Sequence, residues 1–168
     1  MIHGGWSLTS LGQASDGVSL LTKGISLVHA TGAVNASPFH LWCLAEAHAK
    51  LDQLAEGLSK LGEATEFIEA TDERYWEAEV YRLRGDLLSA AGDQTAAEES
   101  YHRALAVARR QRAKTLELRA ATSLARLWRD QGKRTEARDL LAPVYNWFTE
   151  GFDTPVLQDA KALLDELM

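Results

Sequence analysis

An internal repeat with a period of about 40 residues constrains this 168-residue chain more than any other feature. Four columns of similar residues recur at that spacing, which is the sign of a repeat architecture. The columns are Gly12, Asp52, Gly92 and Gly132; Gly17, Gly57, Ala97 and Ala137; Leu21, Leu61, Tyr101 and Leu141; and Gly24, Ala64, Ala104 and Val144. The chain is therefore predicted to consist of similar units that stack on one another.

The order of residue types within each unit predicts a helical hairpin. The first column lies in a short polar break, where glycine or aspartate can end a helix in a left-handed conformation. The small column lies one turn into the second helix, where the two helices must approach closely. The large column follows one turn later and fills the space between the helices. Steps of four and three residues keep these positions on one helix face.

The same order of residues resembles the tetratricopeptide repeat. Unit three provides Tyr81, Gly85, Leu88, Gly92, Ala97, Tyr101 and Ala104, and unit four provides Ala121, Ala125, Trp128, Gly132, Ala137, Leu141 and Val144. Arg109 and Thr149 replace the closing proline of the consensus, and the period exceeds the usual value of about 34 residues, which implies longer helices. The resemblance implies an all-α, tetratricopeptide-like helical-hairpin solenoid. HEAT-like repeats, whose period is similar to the one found in this chain, are the alternative architecture.

The predicted organisation is a single repeat domain over residues 1–168. Its units are residues 1–37, 38–77, 78–117 and 118–154, and a capping helix occupies residues 155–168. First helices are predicted near 2–11, 38–51, 74–91 and 115–131, and second helices near 15–31, 53–70, 94–111 and 134–150. The last helix, near 155–167, begins with Asp153, Thr154 and Pro155, which favour a helix start.

The two ends of the array differ. The last helix has a polar face that suits an open end, formed by Gln158, Asp159, Lys161, Asp165 and Glu166. Unit one has a short first helix and no cap, so Trp6, Leu8 and Leu11 would leave apolar stacking surface exposed. We therefore expect a fragment of a longer chain, or an N-terminal end covered by another subunit, which allows a homo-oligomer.

A closer resemblance covers most of the chain, most strongly residues 73–167. The segments that carry it are residues 75–88 and 118–167, and within the second segment most of all residues 118–128, 131–133 and 139–145. They are similar to the C-terminal tail of large bacterial fusion proteins that combine a class III adenylate or guanylate cyclase domain, an ATPase and a tetratricopeptide array. The resemblance implies a regulatory or scaffolding arm whose catalytic domains lie elsewhere.

The sequence contains none of the common motifs of catalysis or metal binding. Neither G-x-x-x-x-G-K-[ST] nor G-x-G-x-x-G occurs, so no phosphate-binding loop of either kind is predicted. The five histidines lack the spacing of a zinc site, and Cys43 is the single cysteine. Cys43 lies on an apolar stripe and is interpreted as a buried hydrophobic residue. We predict a protein that is not an enzyme and has no cofactor.

Bulk properties predict a cytoplasmic location without membrane or nucleic-acid partners. No apolar run is long enough to span a bilayer and no secretory signal begins the chain. A lone cysteine fits a reducing compartment. The net charge of −6 disfavours binding to polyanions. A basic run near residues 103–119 is interpreted as pairing within the protein or with a partner, because residues 38–77 carry three positive and nine negative charges.

The resemblance also predicts which residues contact a partner, because first helices line a groove in tetratricopeptide arrays. The register of the repeat places eight candidates on that side: Trp42, Glu46, Glu79, Arg82, Asp86, Arg119, Arg126 and Arg129. Trp42 and three of the arginines are predicted anchors, and the acidic residues are predicted to set charge complementarity. The other four tryptophans are interpreted as core residues. Mutual pairing of these charged side chains on a solvated surface is the competing interpretation.

Two functions fit this sequence. The first is a protein-interaction scaffold that holds a peptide or another domain, including a domain of the same polypeptide. The second is a sensor domain whose groove binds a small ligand. An open, charged channel would favour the scaffold, whereas a closed pocket around Trp42 would favour the sensor.

Overall fold

The computed structural model describes residues 1–30 and 38–168. Over these ranges the regular structure is entirely helical. The helices are α1 (Ile2–Ser10), α2 (Ala14–Ala30), α3 (Pro38–Lys50), α4 (Leu54–Thr71), α5 (Glu77–Ala90), α6 (Gln94–Arg110), α7 (Lys114–Asp130), α8 (Arg134–Tyr145) and α9 (Pro155–Glu166). None of them is long and apolar enough to cross a membrane, as far as these ranges extend.

The helices pack as four hairpins that form a curved stack. Each odd-numbered helix from α1 to α7 pairs with the helix that follows it, and α9 packs on α7 and α8. Consecutive first helices (α1, α3, α5, α7 and then α9) also contact one another directly. Within the described ranges, the second helices α2, α4, α6 and α8 make no such contacts among themselves. The stack therefore curves with the first helices on its inner side, which we call the concave face.

The polar breaks end the first helices in the predicted way. Gly12, Asp52, Gly92 and Gly132 have φ of 84°, 58°, 88° and 82°, in the left-handed region. Two residues that were not predicted to end helices, Asp72 and Arg112, have φ of 59° and 55° at the ends of α4 and α6. They are also one repeat period apart, so the period extends to the connections between units.

The small and large columns form the hairpin interiors. A Cβ atom on Gly17 would lie 2.2 Å from Oγ1 of Thr9, so only glycine fits between α1 and α2 at that position. Leu21, Leu61 and Leu141 are completely buried. Burial of each of these leucine side chains contributes about 1.5–3 kcal/mol to stability. The predicted roles of both columns are confirmed.

Two predicted helix limits are wrong. α5 begins at Glu77 and not near residue 74, because Asp72 ends α4 in the left-handed region and residues 73–76 remain outside both helices. α8 ends at Tyr145 and not near residue 150. Pro143 lacks the amide that would bond to the preceding turn, and Phe148, beyond the helix, folds back against the C-terminal core. The predicted end of the second helix at residue 31 and of unit one at residue 37 lie outside the described residues.

As expected, the C-terminal helix presents a polar face to solvent and the N-terminal end exposes apolar side chains. α9 buries Leu157, Ala160 and Leu163 against the preceding unit. Its solvent-facing side consists of Gln158, Asp159, Lys161, Asp165 and Glu166. At the other end Leu11 is 78% exposed and Trp6 is 38% exposed. The unit boundaries and the capping role of α9 stay predictions.

Candidate partner-binding cleft on the concave face

Three of the predicted contact arginines lie together on the concave face. Arg82 on α5 and Arg119 and Arg126 on α7 line one cleft of about 540 Å³. The remaining lining residues are Thr122, Ser123, Pro155, Val156 and Asp159. The cleft therefore combines guanidinium groups, hydroxyl groups and a small apolar wall contributed by the start of α9.

A buried carboxylate joins two of these arginines. The side chain of Glu79 on α5 is 1% exposed. Its oxygens accept a hydrogen bond from Nε of Arg82 at 3.2 Å and form an ion pair with Nη2 of Arg119 at 3.1 Å. A carboxylate buried this deeply requires charged partners. Glu79 thus connects units three and four beneath the surface of the cleft.

Asp86 extends the network to the second helix of its own unit. Nη1 of Arg82 donates to Oδ2 of Asp86 at 2.5 Å, and the hydroxyl of Tyr101 on α6 donates to Oδ1 at 2.8 Å. Burial alone would lower the pKa of Arg82, but the charges of Glu79 and Asp86 raise it above its ordinary value, so Arg82 stays charged. Burial and Asp86 raise the pKa of Tyr101, which keeps the hydroxyl as a donor.

The last two predicted arginines connect α7 to the C-terminal helix. Arg126 forms an ion pair with Asp159 on α9 and also faces the cleft. Arg129 forms ion pairs with Asp130 at 2.9 Å and with Glu166 at 2.5 Å, and does not line the cleft. Arg129 therefore links α7 to α9 at the surface of the array.

Trp42 does not lie on an open surface, so the expectation of an exposed tryptophan in the groove is wrong. Its side chain is 5% exposed and packs on Trp76, with the ring centroids 5.5 Å apart. Phe39 lies beside both rings. The indole nitrogen of Trp42 has no hydrogen-bond partner among the described residues. The aromatic side chains attract one another and bury Trp42 in the core of unit two.

Two further tryptophan assignments can be compared with the structure. Trp6 is 38% exposed, so its interpretation as a core residue is wrong. Its Nε1 donates to Glu46 at 3.0 Å, so Glu46 contacts unit one in this structure. Trp147 is 57% exposed and lies beyond the end of α8, so its interpretation as a core residue is wrong. The contact role predicted for each of the eight candidates remains a prediction.

The residues that line the cleft beside the three arginines were not predicted. Thr122 lies one repeat period after Arg82, and Asp159 lies one repeat period after Arg119. The register places Thr122 on α7 at the position equivalent to Arg82, and its extension into α9 would have found Asp159. Asp159 was missed because α9 was interpreted only as a cap.

Cys43 and the histidines add no chemistry to the cleft. Burial, followed by the charge of Glu46, raises the pKa of the Cys43 thiol to about 12, so the reactive thiolate is scarce at neutral pH. In the part of the chain that the structure describes, no group of histidine, cysteine and acidic side chains is close enough to hold a metal ion.

A second buried glutamate leads to a prediction about acid stability. Glu117 accepts hydrogen bonds from Nζ of Lys114 at 2.7 Å and Nε of Arg109 at 2.9 Å. Burial raises the pKa of Glu117, but these bonds outweigh burial and lower it below its ordinary value. Because the folded-state pKa is lowered, the stabilisation is complete above the unfolded pKa of about 4.3 and is lost as pH falls through the folded-state pKa.

We therefore expect Glu117→Gln to destabilise the protein at neutral pH and to make little difference in strong acid. The measurement is the urea midpoint of both proteins across a series of pH values from neutral to acidic. Asp139→Asn is the control, because Asp139 is exposed and its ion pair with Arg138 is long, at 3.6 Å. A difference between Glu117→Gln and the native protein that stays constant down to the lowest pH would contradict this account.

Comparisons with known proteins agree on the fold. No family model matches the chain and no curated protein matches it in sequence. A crystal structure of Podosopora anserina kinesin-light-chain-type TPR-like repeats matches with a TM-score of 0.75 and 18% identity, over 99% of this chain and 82% of that one. Two crystal structures of MamA match with TM-scores of 0.60, at 17% and 19% identity. They cover 96% and 84% of this chain, and 75% and 68% of their own lengths.

The fold and the cleft define the chain as a tetratricopeptide-like helical-hairpin array. The predicted architecture is confirmed, and the HEAT-like alternative is the less suitable description.

Proposed function

We propose that this protein is a non-catalytic scaffold whose concave cleft holds an acidic segment of another protein or of another domain. The observation that carries the proposal is the cleft that Arg82, Arg119 and Arg126 form together at the junction of units three and four. Guanidinium groups bind carboxylates with directional hydrogen bonds, and exposed arginines are common anchors at protein interfaces. The hydroxyl of Ser123 and the apolar wall at Val156 add contacts for a peptide backbone and a side chain.

The arginines of the cleft already form ion pairs within the protein, so an acidic partner would bind them by replacing or adding to those carboxylates. Arg126 is bound to Asp159, whose side chain is 51% exposed, so a partner carboxylate can replace it at little cost. Arg119 is 35% exposed while its partner Glu79 is buried, which leaves donor groups of Arg119 facing the cleft. The open shape and the charge of the cleft favour this role over a small-ligand sensor, for which a closed pocket would be expected.

The scaffold role can be tested by site-directed photocross-linking. A photoreactive amino acid at Ser123 is expected to cross-link to acidic segments of the bound protein, whereas the same group at Arg138 on α8 is not. Binding of the cross-linked segment should then weaken with Ser123→Glu and persist with Ser123→Gln, because the two side chains differ mainly in charge. Equal cross-linking from both positions, or equal binding by both variants, would refute the proposal.

The proposed context is the C-terminal arm of a bacterial signalling protein with cyclase and ATPase domains, located in the cytoplasm. The resemblance of residues 73–167 to such tails supports this context. An in-frame cyclase or ATPase domain upstream of Met1 is the expected genomic finding, and deletion of the array should change the activity of that domain. The apolar surface near Trp6 and Leu11 would then contact the preceding repeat, or a second subunit if the array forms a homo-oligomer.

A further inference from the structure

A second cleft, of about 630 Å³, lies at the edge of the array where units two, three and four meet. One side consists of Arg74, Tyr75 and Trp76, which precede α5. The other side includes the start of α7, with Lys114, Thr115 and Leu116. We call this site the edge cleft.

The edge cleft arises from a local difference between two equivalent segments. Residues 74–76 and 114–116 are separated by one repeat period. Residues 114–116 form the first turn of α7, but residues 74–76 lie outside a helix because α5 begins only at Glu77. The segment before α5 leaves the ring of Tyr75 77% exposed, against the edge of Trp76 at a centroid distance of 5.8 Å.

Exposed aromatic surface continues next to the edge cleft. Nζ of Lys114 lies 5.5 Å from the centre of the ring of Trp147, which is also largely exposed. Tyr75 and Trp147 are thus two large side chains left in solvent near Lys114. Aromatic residues in such settings are enriched at the centres of protein interfaces.

Near the edge cleft, buried glutamates pair with cations whose side chains reach solvent. Three buried glutamates, Glu77, Glu79 and Glu117, have side chains at most 9% exposed. Each binds two cations, and five of those six cations are between 35% and 59% exposed. These five are Arg74, Arg109, Arg110, Lys114 and Arg119. The three buried glutamates thus lie beneath cations that reach solvent, while Asp72, which also pairs with Arg74, is an exposed acidic group at the rim.

On this basis, and resting on the proposed scaffold role, we propose that the edge cleft binds a bulky apolar side chain of the partner segment, with carboxylates on either side of it. Leu116 and the two aromatic rings of residues 75–76 provide the apolar contact, and the surrounding cations bind the flanking carboxylates. Arg119 lines both this cleft and the concave cleft, so one continuous segment can occupy both.

A peptide fits the edge cleft better than a nucleic acid does. The net charge of −6 acts against an acidic peptide and a nucleic acid alike, so the ligands are distinguished by the apolar centre that Leu116 and the rings of Tyr75 and Trp76 form. An isolated apolar side chain between carboxylates matches a site with an apolar centre and a cationic rim. The ligand is therefore an acidic peptide with one aromatic or large aliphatic residue.

The test uses two synthetic peptides of glutamate and aspartate, one with a central phenylalanine and one with serine at that position. Isothermal titration calorimetry at fixed ionic strength gives the dissociation constant of each peptide. We expect the native protein to bind the phenylalanine peptide about tenfold more tightly, because burial of one aromatic side chain provides at least that much. Tyr75→Ala should remove most of this preference. Phe152→Ala, which removes an exposed aromatic ring that packs near Tyr145, should retain it.

The outcomes separate this proposal from the scaffold role. If both peptides bind equally and Ser123→Glu weakens both, the edge cleft proposal is wrong while the concave cleft remains supported. If neither peptide binds, the edge cleft proposal also fails, and the scaffold role is decided by its own cross-linking experiment. Displacement of the phenylalanine peptide by a thymidine oligonucleotide at the same ionic strength would show a nucleic-acid site and overturn the assignment.

Discussion

Replacement of Glu79 by alanine is expected to destabilise the array by about 3–5 kcal/mol, the usual cost of removing one partner from a buried ion pair. Glu79 is the carboxylate that binds both Arg82 and Arg119. Without it, Arg82 keeps its bond to Asp86, but its side chain is 11% exposed and cannot recover its hydration. The contact between α5 and α7 would also lose its charged connection.

The measurement is the free energy of unfolding from urea denaturation at neutral pH. Asp139→Ala is the matched control, since it removes a carboxylate from an exposed pair and should cost less than about 1 kcal/mol. Glu79→Gln should also be strongly destabilising, because an amide fills the space but leaves Arg119 without this counter-charge and Arg82 with that of Asp86 alone. A cost for Glu79→Ala as small as that of the control would show that solvent reaches the pair.

The fold could be predicted from the sequence because its main determinants are local and repeated. Gly92 and Gly132 end helices through a backbone conformation that the residue type itself favours. Ala97 and Ala137 mark close helix contacts through size alone. Such signals are weak in one unit, but four repetitions at constant spacing made them reliable.

The candidate site was predicted less well because its geometry depends on contacts between units. The sequence placed Trp42 and Arg82 at equivalent positions, and the repeat register alone treats them alike. In the structure Trp42 is buried by Trp76, which lies in the connection outside any helix, while Arg82 lines the cleft. The pairing of Glu79 with Arg119 likewise depends on the distance between α5 and α7, which periodicity does not specify.

The concave face carries aromatic side chains in unit two and charged side chains in units three and four. The proposed site therefore lies in the second half of the array. At one set of equivalent positions unit two has Phe39, unit three Glu79 and unit four Arg119. The aromatic side chains of unit two pack together and close the surface, whereas the charged side chains of the later units leave an open cleft. A partner that needs directional charged contacts is therefore expected at units three and four.

Gly85→Ala is expected to destabilise the protein by about 1–2 kcal/mol, although alanine is the better helix former. A Cβ atom at this position of α5 would lie 2.4 Å from Cε1 and 2.6 Å from Cδ1 of Tyr101. Units two and four have alanine at the equivalent position, where the facing residue is a leucine. Those pairs are Ala45 with Leu61 and Ala125 with Leu141. The glycine of unit three thus compensates for the larger ring of Tyr101.

A double-mutant cycle with Tyr101→Leu tests this explanation. In the Tyr101→Leu background the clash is absent, so Gly85→Ala should become neutral or stabilising by up to about 1 kcal/mol through helix propensity. Tyr101→Leu alone is itself destabilising, because Asp86 loses the hydroxyl that donates to it at 2.8 Å. Urea denaturation of the native protein, both single variants and the double variant gives the coupling energy. If Gly85→Ala has the same cost in both backgrounds, the size of the ring at residue 101 is not what requires the glycine.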